Sequence, residues 1–514
     1  MGSIARAALL AALLSAASAA ADTITVATNA DIRSTNPGVN RDDNTDAVIL
    51  HIVEGLVAYR EDGTVGPLLA DAVEPSEDGR TYSFRLRRGI RFHNGAEMTS
   101  ADVLWSWNRL MEPRTDWRCR NEFDGRGLFK VEAVAAPDPA TVTMRIDRPS
   151  ALFLATLART DCGMTAVIHR DSVAADGSWV KPIGTGPFRL GDWRKGQQVV
   201  LERFADYAAR PGPRDGYTGG KQALVEQVKF LVVPDPSTVK AALLSGAVDI
   251  SDVPDADARD LAANPAVTLK SAPTPVMHGI LLQTRDPVLA NPGMRRAIAA
   301  AVDTEEIVAA VSNGLGRPNN SVVSTASAFH GAVERQGFRH DPELARRLLR
   351  EAGYRGEPIR LIANKRAVVP SFAVAVIAQA MLQAVGLNVE IEVMEWATQL
   401  DRYAKGSFQM MSFSYSARFD PALSFEQISG PKDKQPRKVW EDAEALALLE
   451  RAMTVTDPPE RQKLFDALHR RYLETVPMIV LYNGADSVVF SKRIVGYEPW
   501  LGAKPRLWGV RRTG

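Results

Sequence analysis

Residues 81–86 alternate, with Tyr82, Phe84 and Leu86 on one side and polar residues on the other, which predicts a half-buried strand. The triplets Glu61-Asp62-Gly63 and Glu77-Asp78-Gly79 read as turns. The rhythm then lengthens: Val103, Leu104, Trp107, Leu110 and Met111 make one stripe of a helix that Thr99 or Ser100 can cap and Pro113 stops. Strand patterns recur at 22–28, at 199–204, at 225–233 and in a hairpin over 131–146 around Pro137-Asp138-Pro139, and 183–188 opens another strand region. After 225–233, Pro234-Asp235-Pro236-Ser237 leads into a helix carrying Val239, Ala242 and Leu243 and ending near Gly246.

The second half keeps the alternation of strand and helix. A strand at 277–283 precedes a helix at 292–302, and Asp303, with Glu306 three residues on, caps the next helix, which Gly314 ends. Asp341-Pro342 opens a helix whose buried stripe is Leu344, Ala345, Leu348, Leu349 and Ala352 and which Gly353 stops. A strand at 359–363, a helix at 373–385 and a strand at 389–393 follow, and late strands are expected at 477–482 and 487–490. The class is α/β.

A chain of 514 residues is too long for one core and should form two or three compact units. Its 62 Lys plus Arg against 61 Asp plus Glu leave a net charge of +1, so no basic field would recruit nucleic acid or an anionic membrane. Residues 1–21 pair Arg6 with an apolar run and a small-residue tail, the pattern of a secretory signal peptide cleaved after Ala19 or Ala21, with no following Cys to carry a lipid. The mature protein is therefore expected to be soluble and periplasmic. Cys119 and Cys162 are the only thiols, and export favours a disulfide between them. Closing that loop of about 44 residues would restrict the unfolded chain by about 4 kcal/mol. Two separate buried thiols are the alternative.

Catalytic and metal signatures are missing from the sequence: there is no G-x-S-x-G, no phosphate loop, no H-E-x-x-H and no C-x-x-C. The seven histidines are scattered without ligand spacing, so neither a metal nor another cofactor is expected. His278 stands apart because its strand lies near the expected crossover between lobes.

The stretch from Ile52 to Leu110, the Gly184-Thr185-Gly186-Pro187-Phe188 element, NPGMRRAIAAAVDTEEIV, ARRLLREAGY and the closing VPMIVLYN together resemble the oligopeptide, dipeptide, nickel and opine solute-binding proteins of ABC importers. That resemblance, to family 5 of these proteins, covers almost all of the mature chain. It implies a two-lobed periplasmic binding protein fold, type II, cluster C, with an extra subdomain inserted in lobe I. The boundaries it suggests are 22–65, 186–275 and 485–514 for lobe I, 66–185 for the inserted subdomain and 276–484 for lobe II. It also implies a monomer, not an enzyme, that closes on a small solute and delivers it to a membrane permease and its ATPase.

Candidate site residues follow in part from the resemblance. Arg366, four residues before Pro370, stands where dipeptide-binding members hold a ligand carboxylate; a solvated Lys-Arg pair at a strand end is the alternative. SFSYSARFDPALSF resembles the segment that carries an acid three residues before its Asp-Pro, and here that position is Ala417, with Asp420-Pro421 following. A methyl group cannot pair with an ammonium, and Arg418 beside it would repel one. The expected solute is therefore a modified peptide or opine-like acid with a masked or absent amine, with capture of a nickel chelate or haem, or a chaperone or sensor role, as alternatives and a secreted hydrolase disfavoured. Tyr415, Ser416 and Phe419 in the same segment, Trp396 past a strand end, Trp117 with Arg118 and Arg120 beside Cys119, and Asn29, Asp31 and Arg33 in the first polar loop complete the candidates.

Overall fold

Ile24 and Val26 alternate with half-buried Thr23 and Thr25, and the strand they form, Thr23–Thr28, is central to the first of two units in this computed structural model. The described residues are 23–39, 42–252, 255–312, 314, 316–366 and 369–513. The expected signal peptide lies outside them. The first unit takes the residues up to Ser271 and those from Ser487 onward; the second is Ala272–Asp486.

In the first unit, Thr23–Thr28 runs parallel to Gln227–Val232, with Ile24 opposite Val228 and Val26 opposite Phe230, and touches Ile250–Asp252 at Val26 and Ile250. Gln198–Arg203 and then Phe188–Arg194 extend the sheet antiparallel on one side. On the other, Phe490 pairs with Ile250. The core gathers Val26, Leu201, Phe230, Ile250 and Phe490 with Leu507 and Val510 of the C-terminal tail. His51 ties the tail down: its Nδ1–H donates to the Ala47 carbonyl at 2.8 Å and its Nε2 accepts the Leu507 N–H at 3.1 Å. Both bonds use the neutral ring, and burial pushes its pKa down to about 3.

A separate four-stranded antiparallel sheet, ordered Ala70–Pro75, Thr81–Leu86, Thr141–Ile146, Val131–Asp138, lies in the same unit. Tyr82, Phe84 and Leu86 point to its buried side. The helix Ser100–Met111 buries Val103, Trp107 and Leu110, while Leu104 and Met111 are half-buried. Its first turn is held by Asp102, whose carboxylate accepts the Thr99 N–H at 2.9 Å. Cys119 and Cys162 form a disulfide with Cα atoms 5.7 Å apart.

In the second unit, Val389–Val393, Ile359–Ala363 and Met410–Tyr415 are parallel, and the last pairs antiparallel with the end of Val267–Leu282. Helices Pro292–Ala301, Pro342–Glu351 and Ser371–Ala384 pack Ile298, Ala345, Leu349, Val374, Ala378 and Leu382 against Leu361 and Ala363. The strand expected at 277–283 is the end of a longer one, and the two expected at 477–482 and 487–490 are a single strand, Met478–Ser491. Gly484 permits this continuity, since a Cβ there would come within 3.2 Å of the Val276 Cβ on the neighbouring strand. These two strands carry the chain between units, at Ser271 to Ala272 and at Asp486 to Ser487.

Candidate functional site

The carboxyl ends of parallel strands in α/β sheets are where side chains converge on ligands, because the loops that leave them are free of the sheet's hydrogen bonding. In the second unit three such ends release Asn364-Lys365-Arg366, Met394-Glu395-Trp396 and Ser416-Ala417-Arg418. Two of them meet. The Arg366 guanidinium lies 3.8 Å from the centre of the Trp396 ring. Trp396 stacks on Phe413 at 5.8 Å, and Phe413 stacks on Tyr403 at 4.5 Å, so the cation rests on an aromatic ladder.

Polar bonds fix that ladder. Asn364 Oδ1 accepts the Arg366 backbone N–H at 3.2 Å, Asn364 Nδ2 donates to Gln399 Oε1 at 2.7 Å, and Gln399 Nε2 donates to the Ser412 carbonyl at 2.9 Å. The chain of bonds ties two strand ends to the helix Trp396–Lys405. The face of Arg366 is thus covered, while its Nε–H is buried and has no hydrogen-bond partner among the described residues. Asn364, Gln399, Tyr403 and Phe413 are positioning residues that the sequence reading passed over. The signal was present, since Trp396, Gln399 and Tyr403 share one helix face by their spacing.

The remaining candidates of this unit occupy varied settings. Tyr415 is buried; its hydroxyl accepts from that of Tyr403 at 3.3 Å, and burial raises its pKa well above 10. Ser416 is exposed and offers its carbonyl to Gln427 Nε2. Arg418 is exposed, with Nη1 on the Ala417 carbonyl at 2.9 Å, and Phe419 is half-buried. Asp420 is fully committed: it accepts both Nη groups of Arg461 at 2.8 Å and the Ala422 N–H that starts the helix Pro421–Ile428. His278 stacks on Tyr482 at 4.5 Å, bonds Ser414 Oγ at 2.7 Å, and is held neutral by burial, which lowers its pKa to about 4.

The first unit's candidates are mostly engaged within the fold. Asp31 accepts from Trp193 Nε1 at 3.0 Å and from the Gly196 N–H at 2.7 Å, which makes it an anchor for the hairpin turn between Phe188–Arg194 and Gln198–Arg203. Asn29 accepts from Asn44 Nδ2, and Arg33 is exposed, its backbone N–H on Thr45 Oγ1. Trp117 is 3% exposed, stacked on Phe123 and bonded to the Cys162 carbonyl, so no ring face is left for a ligand. Arg118 pairs with Asp161 at 3.1 Å, and Arg120 is half-buried.

Among the described residues no group of three or more His, Cys, Asp or Glu side chains is placed to hold a metal ion. Nor is any helix among them long and apolar enough to cross a membrane. The model of the bacterial extracellular solute-binding proteins, family 5 Middle, matches residues 64–435. The glutathione-binding protein GsiB of Salmonella choleraesuis is 26% identical over 492 residues, which cover 93% of this chain and 92% of that protein. Two solved structures are similar over nearly the full length. HbpA2 from Haemophilus parasuis has a TM-score of 0.85 at 24% identity, covering 96% of this chain and 100% of its own. AgaA from A. tumefaciens R10, in complex with agropinic acid, has a TM-score of 0.69 at 25% identity, covering 96% and 99%.

Proposed function

This chain belongs to family 5 of the bacterial extracellular solute-binding proteins, the solute-capturing components of ABC importers, and from that premise we propose that its ligand is a small acidic solute, peptide-like or opine-like, whose carboxylate is held by Arg366. One observation carries the reading: the guanidinium is fixed on Trp396, and its buried Nε–H has no partner among the described residues. A buried donor without an acceptor costs about 1 to 3 kcal/mol, which a ligand carboxylate accepting two parallel N–H bonds would recover.

The amine side of a peptide finds no free carboxylate in residues 412–425. Ala417 stands where the resemblance expects an acid, and both oxygens of Asp420 are occupied by Arg461. A masked or absent amine fits that pattern. Glutathione and agropinic acid, the ligands named for GsiB and AgaA, are acidic small molecules, in keeping with an anion anchor. The protein acts in the periplasm as a monomer, makes and breaks no bond, and hands its solute to a permease driven by a partner ATPase.

Titration calorimetry with a panel of dipeptides, N-blocked dipeptides, opines and metal chelates tests this. The acids with blocked or absent amines should bind best, and Arg366→Ala should weaken the best ligand by about 2 to 5 kcal/mol. Unaltered affinity in Arg366→Ala and Arg418→Ala alike, or a preference for metal chelates, would remove the proposal.

A further inference from the structure

Three lysines are almost fully buried among the described residues: Lys221, Lys432 and Lys438. Two have a glutamate. Lys221 Nζ is 2.8 Å from Glu54 Oε1, and Lys438 Nζ is 2.6 Å from Glu426 Oε1. Lys432 has none: its Nζ donates to Gln283 Oε1 and Thr284 Oγ1, both neutral, and no described carboxylate lies within ion-pair distance. An ammonium taken out of water with only neutral acceptors is poorly compensated. Burial, reinforced by the like charge of Arg285, pushes its pKa down to about 8, which leaves it mostly charged at neutral pH.

This lysine lines a cavity of about 700 Å³ in the second unit, a volume that suits a small-molecule ligand. The cavity runs along the parallel strands: Arg360 and Ile362 are the second and fourth residues of Ile359–Ala363, Glu392 is the fourth of Val389–Val393, and Gln409 immediately precedes Met410–Tyr415. Neither Arg366 nor Trp396 is among its lining residues. Several charges on its wall are already spent. Arg285 binds Asp433 and Glu441, each at 2.7 Å, Lys405 binds Asp401 at 2.8 Å, and Asp286 Oδ1 accepts the Val288 and Leu289 N–H groups. Without an ion-pair partner among the described residues the wall keeps three cations, Arg360, Arg402 and Lys432, and two carboxylates, Glu392 and Asp286, the latter held by backbone N–H groups.

We propose that this cavity is a second, anion-binding site, in which the carboxylate or phosphate oxygens of a small solute take the counter-ion position beside Lys432 that glutamates fill at Lys221 and Lys438, while Arg360 and Arg402 meet the rest of its charge. The proposal is independent of what binds at Arg366.

Calorimetry on the full chain with inorganic phosphate, succinate and citrate, each alone at pH 7, tests it and separates phosphate from carboxylate ligands. Saturable binding of at least one is expected, weakened tenfold or more by Lys432→Met and by Arg402→Gln. Affinity should fall as pH rises past 8, where the amine loses its proton. Arg402 is exposed, so its replacement leaves the fold intact even if Lys432→Met does not. Absence of saturable binding by all three, or equal affinity in Arg402→Gln, would overturn the assignment.

Discussion

Glu54 in the first unit and Arg366 in the second are both charged and buried in part or whole, yet their surroundings differ in one respect. Glu54, 1% exposed, has both oxygens met: Oε1 by Lys221 Nζ at 2.8 Å and the Tyr207 hydroxyl at 2.9 Å, Oε2 by the Thr185 hydroxyl at 2.9 Å. Lys221 itself sits 4.8 Å from the Trp508 ring, so the pair joins three distant parts of the chain. Around Arg366 the protein supplies the aromatic support, and among the described residues no acceptor meets Nε. A buried charge completed by the chain is architecture. One left incomplete, on an aromatic support, is poised for something that comes and goes.

The sharpest way to test that contrast is to undo the complete case. Glu54→Gln leaves Lys221 charged and unpaired in the core and should cost about 3 to 5 kcal/mol in urea unfolding followed by a probe in the first unit. A loss below about 1 kcal/mol would place the pair among dispensable contacts. Arg366→Ala should behave in the opposite way, costing solute affinity about 2 to 5 kcal/mol while shifting unfolding by less than about 1 kcal/mol. Equal effects on binding and stability would erase the distinction.

A third, smaller test uses Asp46, buried at 4% exposure, whose carboxyl is raised to about 7 by burial, with Lys504 opposing the shift and Asp161 and Asp43 adding to it. Because its folded pKa lies above the ordinary 3.8, this group's contribution is full below pH 3.8 and is lost as pH rises through 7. Asp46→Asn should therefore stabilise the protein by about 1 to 2 kcal/mol at pH 8 and change nothing near pH 3, read from unfolding midpoints in a pH series. A stability gain that is the same at both ends would show that charge is not its cause. Least of all is expected from Arg418→Ala: exposed and bonded to its neighbour's carbonyl, it should alter stability by less than about 0.5 kcal/mol and act mainly on the rate and salt dependence of solute association.

Local rules made much of the fold legible. Asp303 and Asp341 each cap the helix they precede, accepting N–H groups of Glu306 and Leu344, because a cap depends only on residues three apart. The alternation of residues 81–86 likewise foretold the buried side of its strand. What escaped was non-local. The bond from Asp420 to Arg461 spans 41 residues, so nothing in SFSYSARFDPALSF could reveal that Asp420 is spoken for. Trp117 beside a cysteine gives no sign of facing Phe123, and Trp396, taken for a residue beyond a strand, begins a helix whose preceding Glu395 makes no side-chain cap. The strand Met478–Ser491 reads as two separate strands because the alternation lapses at Asn483-Gly484, where the side chains of Thr274, Val276 and His278 come close. Arg366 could be picked out by its place before Pro370, but the ring beneath it comes from another strand end.

The two crossings of the chain set an order on biosynthesis. The second unit is one uninterrupted segment and has every residue it needs once Asp486 has emerged from the ribosome. The first unit, although begun earlier, must wait for Phe490, Tyr497, Leu507 and Val510 to fill its core. A premature stop codon shortly after Asp486 would thus spare the part made later and ruin the part made first.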